Sequence, residues 1–195
     1  MTVRLPSGWI PTTSLTNQLT LLLRDSFYSR SSIEVAPDLL GKNLCMENET
    51  GKLRKLIITE TEAYHGKDDL ASHAYKGMTE RNKLMFGPAN FWYLYLCYGM
   101  HWMLNLVTAE RGNPSAVFIR ATDEISGPGR LTKKLGIDNR FHGLKNSPLS
   151  KLWVEDSTLK PLEIQRGPRI GVESAGPIWS KKAHRFWFSK GSSVR

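Results

Sequence analysis

Two carboxylates set two residues apart, in Thr59-Glu-Thr-Glu-Ala-Tyr64, are the first residues in this chain whose spacing suggests chemistry. At a strand end, side chains alternate with period two, so Glu60, Glu62 and Tyr64 would project from one face. Such a pair suits acid/base work or a cation site. The segment alone favours a plainer reading, a solvated edge dressed with charge. Arg120 ends the apolar run Ala116–Ala121 and raises a matching question. A buried guanidinium wants a carboxylate, and Glu60 or Glu62 are the candidates. Asn105 lies within Trp102-Met-Leu-Asn-Leu-Val107, where its neighbours should be buried. A buried amide without partners costs on the order of 1–3 kcal/mol, so it should be hydrogen-bonded or line a pocket. For both residues a satisfied structural network is the alternative.

Tyr98-Gly-Met-His101 separates two strand-like runs rich in aromatic and branched residues. Gly99 can take the positive φ of a tight reversal, which leaves Tyr98, with Met100, at a hairpin tip. An exposed aromatic there suggests something to insert into, and side chains that unstack DNA are used in this way. The sequence equally allows Tyr98 to pack back as core. His65, Asp68, Asp69 and His73 invite a metal reading, but no HxxxH or HxH spacing supports it and neither cysteine is placed to join.

Several elements must position these groups. A helical segment is expected around Leu19–Tyr28, and a short helix in Ser32–Gly41 leads to the sheet. Leu44–Glu47 and Lys55–Thr61 read as a hairpin across a polar turn, followed by the strands Phe91–Cys97, Trp102–Thr108 and Ala116–Ala121. Gly127-Pro-Gly-Arg130 opens a helix over Leu131–Leu135. Leu162–Gly167, Ile170–Gly171 and Phe186–Phe188 supply further short strands. Without a regular βαβ alternation or a glycine fingerprint, the expected class is α+β, one domain over 1–195 with a mostly antiparallel sheet and a protruding hairpin. Residues 1–12 read as a loosely held lead-in.

Composition narrows the partners. The 195 residues are 40% hydrophobic and 23% charged, ordinary for a globular domain. Lys plus Arg number 27 against 18 acids, a formal charge of +9, which favours an anionic partner with nucleic acid first. Cys45 and Cys97 make no disulfide framework, so a reducing, intracellular location is expected. The first residues lack the apolar run of a secretion signal, and Leu19–Leu23 is too short to span a bilayer.

Taken in order, the segments resemble one family. Thr59-Glu-Thr-Glu-Ala-Tyr-His-Gly66, Ala71-Ser-His73, Arg81-Asn82, Met85-Phe86, Tyr98-Gly-Met-His101, Asn105 and Ile119-Arg-Ala121 are similar to the alkyladenine (3-methyladenine) DNA glycosylases. Ser126-Gly-Pro-Gly-Arg-Leu131, Leu135-Gly-Ile137, Arg166-Gly-Pro168, Arg169-Ile-Gly171 and Arg185-Phe186 extend the likeness, which covers most of the chain after Ser32. Two segments depart from the family's pattern. Thr79-Glu-Arg-Asn82 replaces a common Thr-Pro-Arg-Asn, and Asn139–Leu152 lacks the usual Asp-Leu landmark.

The resemblance implies a hairpin that enters the DNA minor groove and a purine flipped from damaged double-stranded DNA. Glu62 matches the catalytic carboxylate that positions and deprotonates water, with Arg120 beside it. Arg120 is expected to hold the Glu62 pKa down. Tyr64, His73 and Tyr95 match the walls that stack on the flipped base. Asn105 matches the residue that obstructs the exocyclic amine of guanine, and Ala71 joins the base pocket. Tyr98, with Met100, matches the wedge, while Arg81, Asn82 and Arg130 are candidates for the DNA backbone. The implied enzyme hydrolyses N-glycosidic bonds of purines such as 3-methyladenine, hypoxanthine or ethenoadenine and leaves an abasic site. It acts as a monomer without lyase activity, cofactor, metal, membrane or obligate protein partner. The rival readings are a catalytically silent DNA-binding module and a metal-dependent hydrolase built on His65, Asp68, Asp69 and His73.

Overall fold

The computed structural model describes residues 21–189 and 193–194. The expected lead-in over residues 1–12 lies outside them. Among the described residues, two short helices precede the sheet, α1 (Asp25–Tyr28) and α2 (Ser32–Asp38). Ser31 caps α2 by accepting a hydrogen bond from the Ile33 N–H. The described part of the expected Leu19–Tyr28 helix is shorter than its sequence suggests, because Leu22 forms a β-bridge to Glu155 instead.

One antiparallel sheet organises the chain beyond these helices. Its strands are β1 (Asn43–Glu47), β2 (Leu53–His65), β3 (Trp92–Cys97), β4 (His101–Val107), β5 (Ser115–Thr122) and β6 (Leu152–Glu155), in the spatial order β3-β4-β5-β2-β1-β6. Helix α3 (Pro128–Leu135) follows β5 and ends at Gly136, whose φ of 66° supplies the left-handed cap. Three shorter strands follow, β7 (Lys160–Pro161), β8 (Gln165–Gly167) and β9 (Arg185–Trp187), with β9 paired to β2 and β8 paired to β9. Between them lies α4 (Gly176–Trp179), and β10 (Ser193–Val194) pairs with β7. The class is α+β with a mostly antiparallel sheet, as its elements suggest.

Two tail expectations change. Ile170–Gly171 is loop, and only Gln165–Gly167 of the Leu162–Gly167 run is strand. Strand β6 carries no alternation in its sequence because all four of its residues are buried.

The thirteen residues of β2 form the spine of the site. Its first half pairs with β1 and its second half with β9, while β5 runs along the opposite edge. Thr59–Tyr64 is therefore sheet interior, and the solvated-edge reading does not hold. Alternation then sorts the residues. Thr61 and Ala63 face α2, where the Thr61 hydroxyl donates to the Ala36 carbonyl at 2.8 Å. Trp92, Leu94, Leu104, Leu106, Val117 and Ile119 join them in the main core. A second buried cluster on the other residues of the same strands includes Tyr93, Val107 and Ala116, with Tyr95 packed against it.

The pairing of β2 with β5 slips twice. Ile58 opposes Thr122, Glu60 opposes Ala121 and Thr61 opposes Ile119, so Thr59 and Arg120 are each an extra residue on their own strand. Such bulges re-aim a side chain that regular pairing would point elsewhere. Here the two offsets cancel, and the register downstream is regular.

Candidate active site

Glu62 is fully buried within this sheet. Its Oε1 accepts the main-chain N–H of Ile170 at 2.8 Å, and its Oε2 accepts the Tyr64 hydroxyl at 2.9 Å. Arg120 Nη1 stands 3.3 Å from Oε1. Burial pushes the Glu62 carboxyl above the usual carboxylate range, against the opposing pull of Arg120, the Ile170 N–H, Tyr64 and Arg169. Arg120 pulls this pKa down as expected, yet the net shift is upward. Desolvation of a fully buried carboxylate outweighs its charge. Arg120 also has a nearer partner, since its Nε donates to Glu60 Oε1 at 2.9 Å.

A pocket of ≈ 110 Å³ is lined in part by Tyr64, Ala71, His73, Tyr95 and Asn105; Glu62 does not line it, but is linked to it by the hydroxyl of Tyr64. The fold thus brings together five residues spread over four separate segments of sequence. His73 and Tyr95 touch edge to face, with ring centroids 4.4 Å apart, and make one aromatic wall. The His73 Nδ1 meets the Tyr93 hydroxyl at 3.0 Å. Burial, and secondarily Arg81, lower the His73 pKa, so the imidazole is neutral at neutral pH. Asn105 is buried, and its amide nitrogen donates to the Tyr93 and Met103 carbonyls, each at 3.1 Å. With that nitrogen committed to main chain, the side chain has its acceptor oxygen left to offer the pocket.

Tyr95 and Asn105 belong to the hairpin whose turn carries Tyr98. Tyr98 is 89% exposed and Met100 71%, so neither packs back as core. The Met100 N–H closes the turn onto the Cys97 carbonyl at 3.1 Å, with φ of 51° at Tyr98 and 67° at Gly99. Two successive positive φ values define the primed turn that suits a twisted hairpin. A bulky residue at the first of them is held against its own preference. Helix α3 braces the hairpin beside its turn. The Thr132 hydroxyl donates to the Trp102 carbonyl at 3.0 Å, and Gly129 sits so close to His101 that an added Cβ would meet its ring at 2.9 Å.

The DNA-backbone candidates divide. Arg130 is exposed on the first turn of α3. Arg81 is exposed too, but it leans over the Tyr95 ring at 5.7 Å and donates to the Leu96 carbonyl at 3.3 Å. Asn82 is corrected to a structural role. It is buried, donating to the His73 and Gly77 carbonyls at 2.8 and 2.9 Å and accepting the Thr79 N–H, which fixes the loop behind His73. Glu80, the departure from the family pattern, forms an exposed pair with Lys83.

The grouping of His65, Asp68, Asp69 and His73 is not assembled. Among the described residues no three His, Cys, Asp or Glu side chains stand together to hold a metal. Asp69 belongs instead to Arg169, in a fully buried ion pair with contacts of 2.5 and 2.8 Å. Asp69 also accepts the N–H groups of His65 and Ala71, and the guanidinium lies 4.6 Å over the Tyr64 ring. Arg169 precedes the residue whose N–H holds Glu62, so one ion pair fixes both the carboxylate and the loop that walls the pocket. The sequence shows Arg169 only as part of a motif. A charged residue between Pro168 and Ile170 hints at burial, but its partner lies 100 residues away.

The family described as Methylpurine-DNA glycosylase (MPG) matches residues 26–126 and 122–192. The chain belongs to this family. A Myxococcus xanthus protein named "Putative 3-methyladenine DNA glycosylase" is 43% identical over 175 residues, covering 85% of this chain and 89% of its own. A Methanocella arvoryzae protein of the same name is 43% identical over 176 residues, covering 80% and 86%. One from Ehrlichia ruminantium is 37% identical over 175 residues, covering 85% and 87%. Among the described residues, no helix of this methylpurine-DNA glycosylase family member is long and apolar enough to cross a membrane.

Proposed function

We propose that this protein is a monofunctional DNA repair glycosylase that flips an alkylated or deaminated purine out of duplex DNA and hydrolyses its N-glycosidic bond. The observation that carries the reading is a fully buried carboxylate, Glu62, that accepts two hydrogen bonds, one of them from Tyr64 in the wall of the aromatic-lined pocket, and pairs with Arg120. A purine inside a duplex hides its sugar C1′, so the nucleotide must leave the stack, at a cost of a few kcal/mol that damage lowers. Tyr98 fills the vacated space. Tyr95 and Tyr98 are three residues apart on one hairpin, about 10 Å along a strand, so wedge and pocket wall move as one body.

Tyr64 stacks on the flipped base opposite the wall of His73 and Tyr95. Cleavage passes through an oxocarbenium-like sugar. Alkylation at N3 or N7 makes the base a cationic leaving group, so no acid is needed for such lesions. Glu62 as carboxylate orients and deprotonates the attacking water and faces the positive charge that develops on the sugar. Both of its oxygens accept hydrogen bonds from fixed donors, which favours the ionised form despite its burial. His73, neutral and bonded to Tyr93, serves as stacking wall and not as a charged acid. Asn105 offers guanine's exocyclic amine no room. Hydrolysis by water, with no lysine nucleophile assigned, leaves an abasic site without breaking the strand.

The decisive experiment is incubation with a duplex carrying 3-methyladenine, hypoxanthine or ethenoadenine, then alkali to break abasic strands. Strand breaks that persist in chelator support the proposal. DNA binding without abasic product would leave a silent binding module, and loss of product with chelator a metal-dependent hydrolase. Tyr98→Ala is expected to lower affinity for lesion duplex roughly 10- to 100-fold, the loss of about 1–3 kcal/mol of stacking. Because Tyr98 is almost fully exposed, thermal stability should hold. Unchanged affinity in a binding titration would remove Tyr98 from the mechanism.

A further inference from the structure

The partners of Arg120 do not share it evenly. Its Nε makes the 2.9 Å hydrogen bond to Glu60, whereas Glu62 receives the 3.3 Å contact from Nη1. Arg185 reaches the same Glu60 oxygen from the other side, Nη1 to Oε1 at 3.3 Å. The result is a chain of alternating charge, Arg185–Glu60–Arg120–Glu62, whose side-chain exposure falls from 24% and 21% to 12% and 0%. Strand geometry accounts for it. Glu60 and Glu62 share a face of β2, the bulge at Arg120 sends its guanidinium between them, and β9 brings Arg185 alongside by pairing with Glu60 through Glu62. The motif makes Glu62 the carboxylate of interest and leaves Glu60 without a task.

We propose that Glu60 is a positioning residue that fixes Arg120 and divides its charge, thereby setting how readily Glu62 ionises. The proposal rests on the glycosylase reading, in which Glu62 works as carboxylate. The charged and titratable groups facing Glu62 are Tyr64 beside it on β2, Arg120 on β5, Tyr95 on β3, Arg169 on the loop after β8, and Glu60 through Arg120. Two further carboxylates stand behind these cations, Asp69 behind Arg169 and Glu60 behind Arg120, and it is Glu60 whose cation is in ion-pair contact with Glu62. Glu60 opposes charge on Glu62 directly and also draws off the cation that favours it. Arg185 offsets Glu60 in turn. The two neighbours of Arg120 thus act on Glu62 with opposite sign.

That sign reversal is the test. Base release from methylated duplex DNA is measured in single turnover across pH for the wild type, Glu60→Gln, Glu60→Asp and Arg185→Met. The Glu62 carboxyl is titrated in parallel by NMR on the free proteins labelled with ¹³C at glutamate carboxyls. Glu60→Gln leaves Arg120 to Glu62, so the acid limb and the titration should both move down by about one pH unit. Glu60→Asp keeps the charge and should restore most of the wild-type profile. Arg185→Met should move both upward by a smaller amount. A limb that stays in place or rises in Glu60→Gln overturns the proposal, as does equal loss of activity at every pH. Should Glu60→Gln fail to fold, Arg185→Met decides, and an unmoved or lowered limb there overturns it. If the wild type releases no base, the glycosylase reading fails, while the NMR titration still shows whether Glu60 governs Glu62.

Discussion

Replacing Glu62 by Gln is expected to slow base release by roughly 10²–10⁴-fold, the range supplied by a positioned general base, while binding to lesion duplex persists. Glutamine keeps the shape and one acceptor oxygen for the Ile170 N–H at the 2.8 Å position. It cannot carry the charge that faces the sugar or take a proton from water. Binding should be preserved or strengthened, since a negative charge is removed near a polyanion and the side chain is fully buried. Single-turnover release from methylated duplex, with a binding titration on the same substrate, separates the two effects. Release at the wild-type rate would sink the assignment. Loss of binding together with release would instead mean that the pocket had collapsed.

The second large effect is on stability. Arg169→Met is expected to cost about 3–5 kcal/mol, the penalty for stranding one member of a fully buried ion pair. The Arg169–Asp69 pair has no exposed side-chain surface on either partner, so solvent cannot compensate the carboxylate left behind. The loss reaches further than the pair. Arg169 also donates to the Ala63 carbonyl at 2.9 Å, and Asp69 anchors the Ala71 N–H at the start of the loop that carries His73. Urea unfolding should show the midpoint falling with an unchanged slope. Arg169→Met combined with Asp69→Leu should recover much of the loss, because an apolar pair leaves no buried charge unpaired. A single variant within about 1 kcal/mol of wild type would mean that the pair is solvated in solution.

Most of the fold was legible wherever one face of an element is buried and the other is not. The alternation in Trp92–Cys97 and His101–Val107 separates Trp92, Leu94, Leu104 and Leu106 from Tyr93, Tyr95 and Asn105, and the sheet keeps that division. Strand β6 was hidden for the converse reason, since a strand buried throughout shows no period. Ile170–Gly171 reads as strand from its residue types, yet its N–H is committed to Glu62 and not to a neighbouring strand.

Local chain geometry is enough to say which residue types are available for chemistry and which faces they occupy. Glu60, Glu62 and Tyr64 on one side of a strand, and an aromatic at a glycine turn, come from local geometry. Tertiary structure alone decided the partnerships. A slip of one residue between β2 and β5 aims Arg120 between two carboxylates, and strand propensity does not encode such a slip. Asp69 finds Arg169 across 100 residues, while Asn82 turns inward to the His73 loop instead of outward to solvent. Desolvation explains why these pairings lay beyond the sequence. The balance between a buried charge and its partner depends on every atom that excludes water from both, and those atoms are gathered only when the chain has folded.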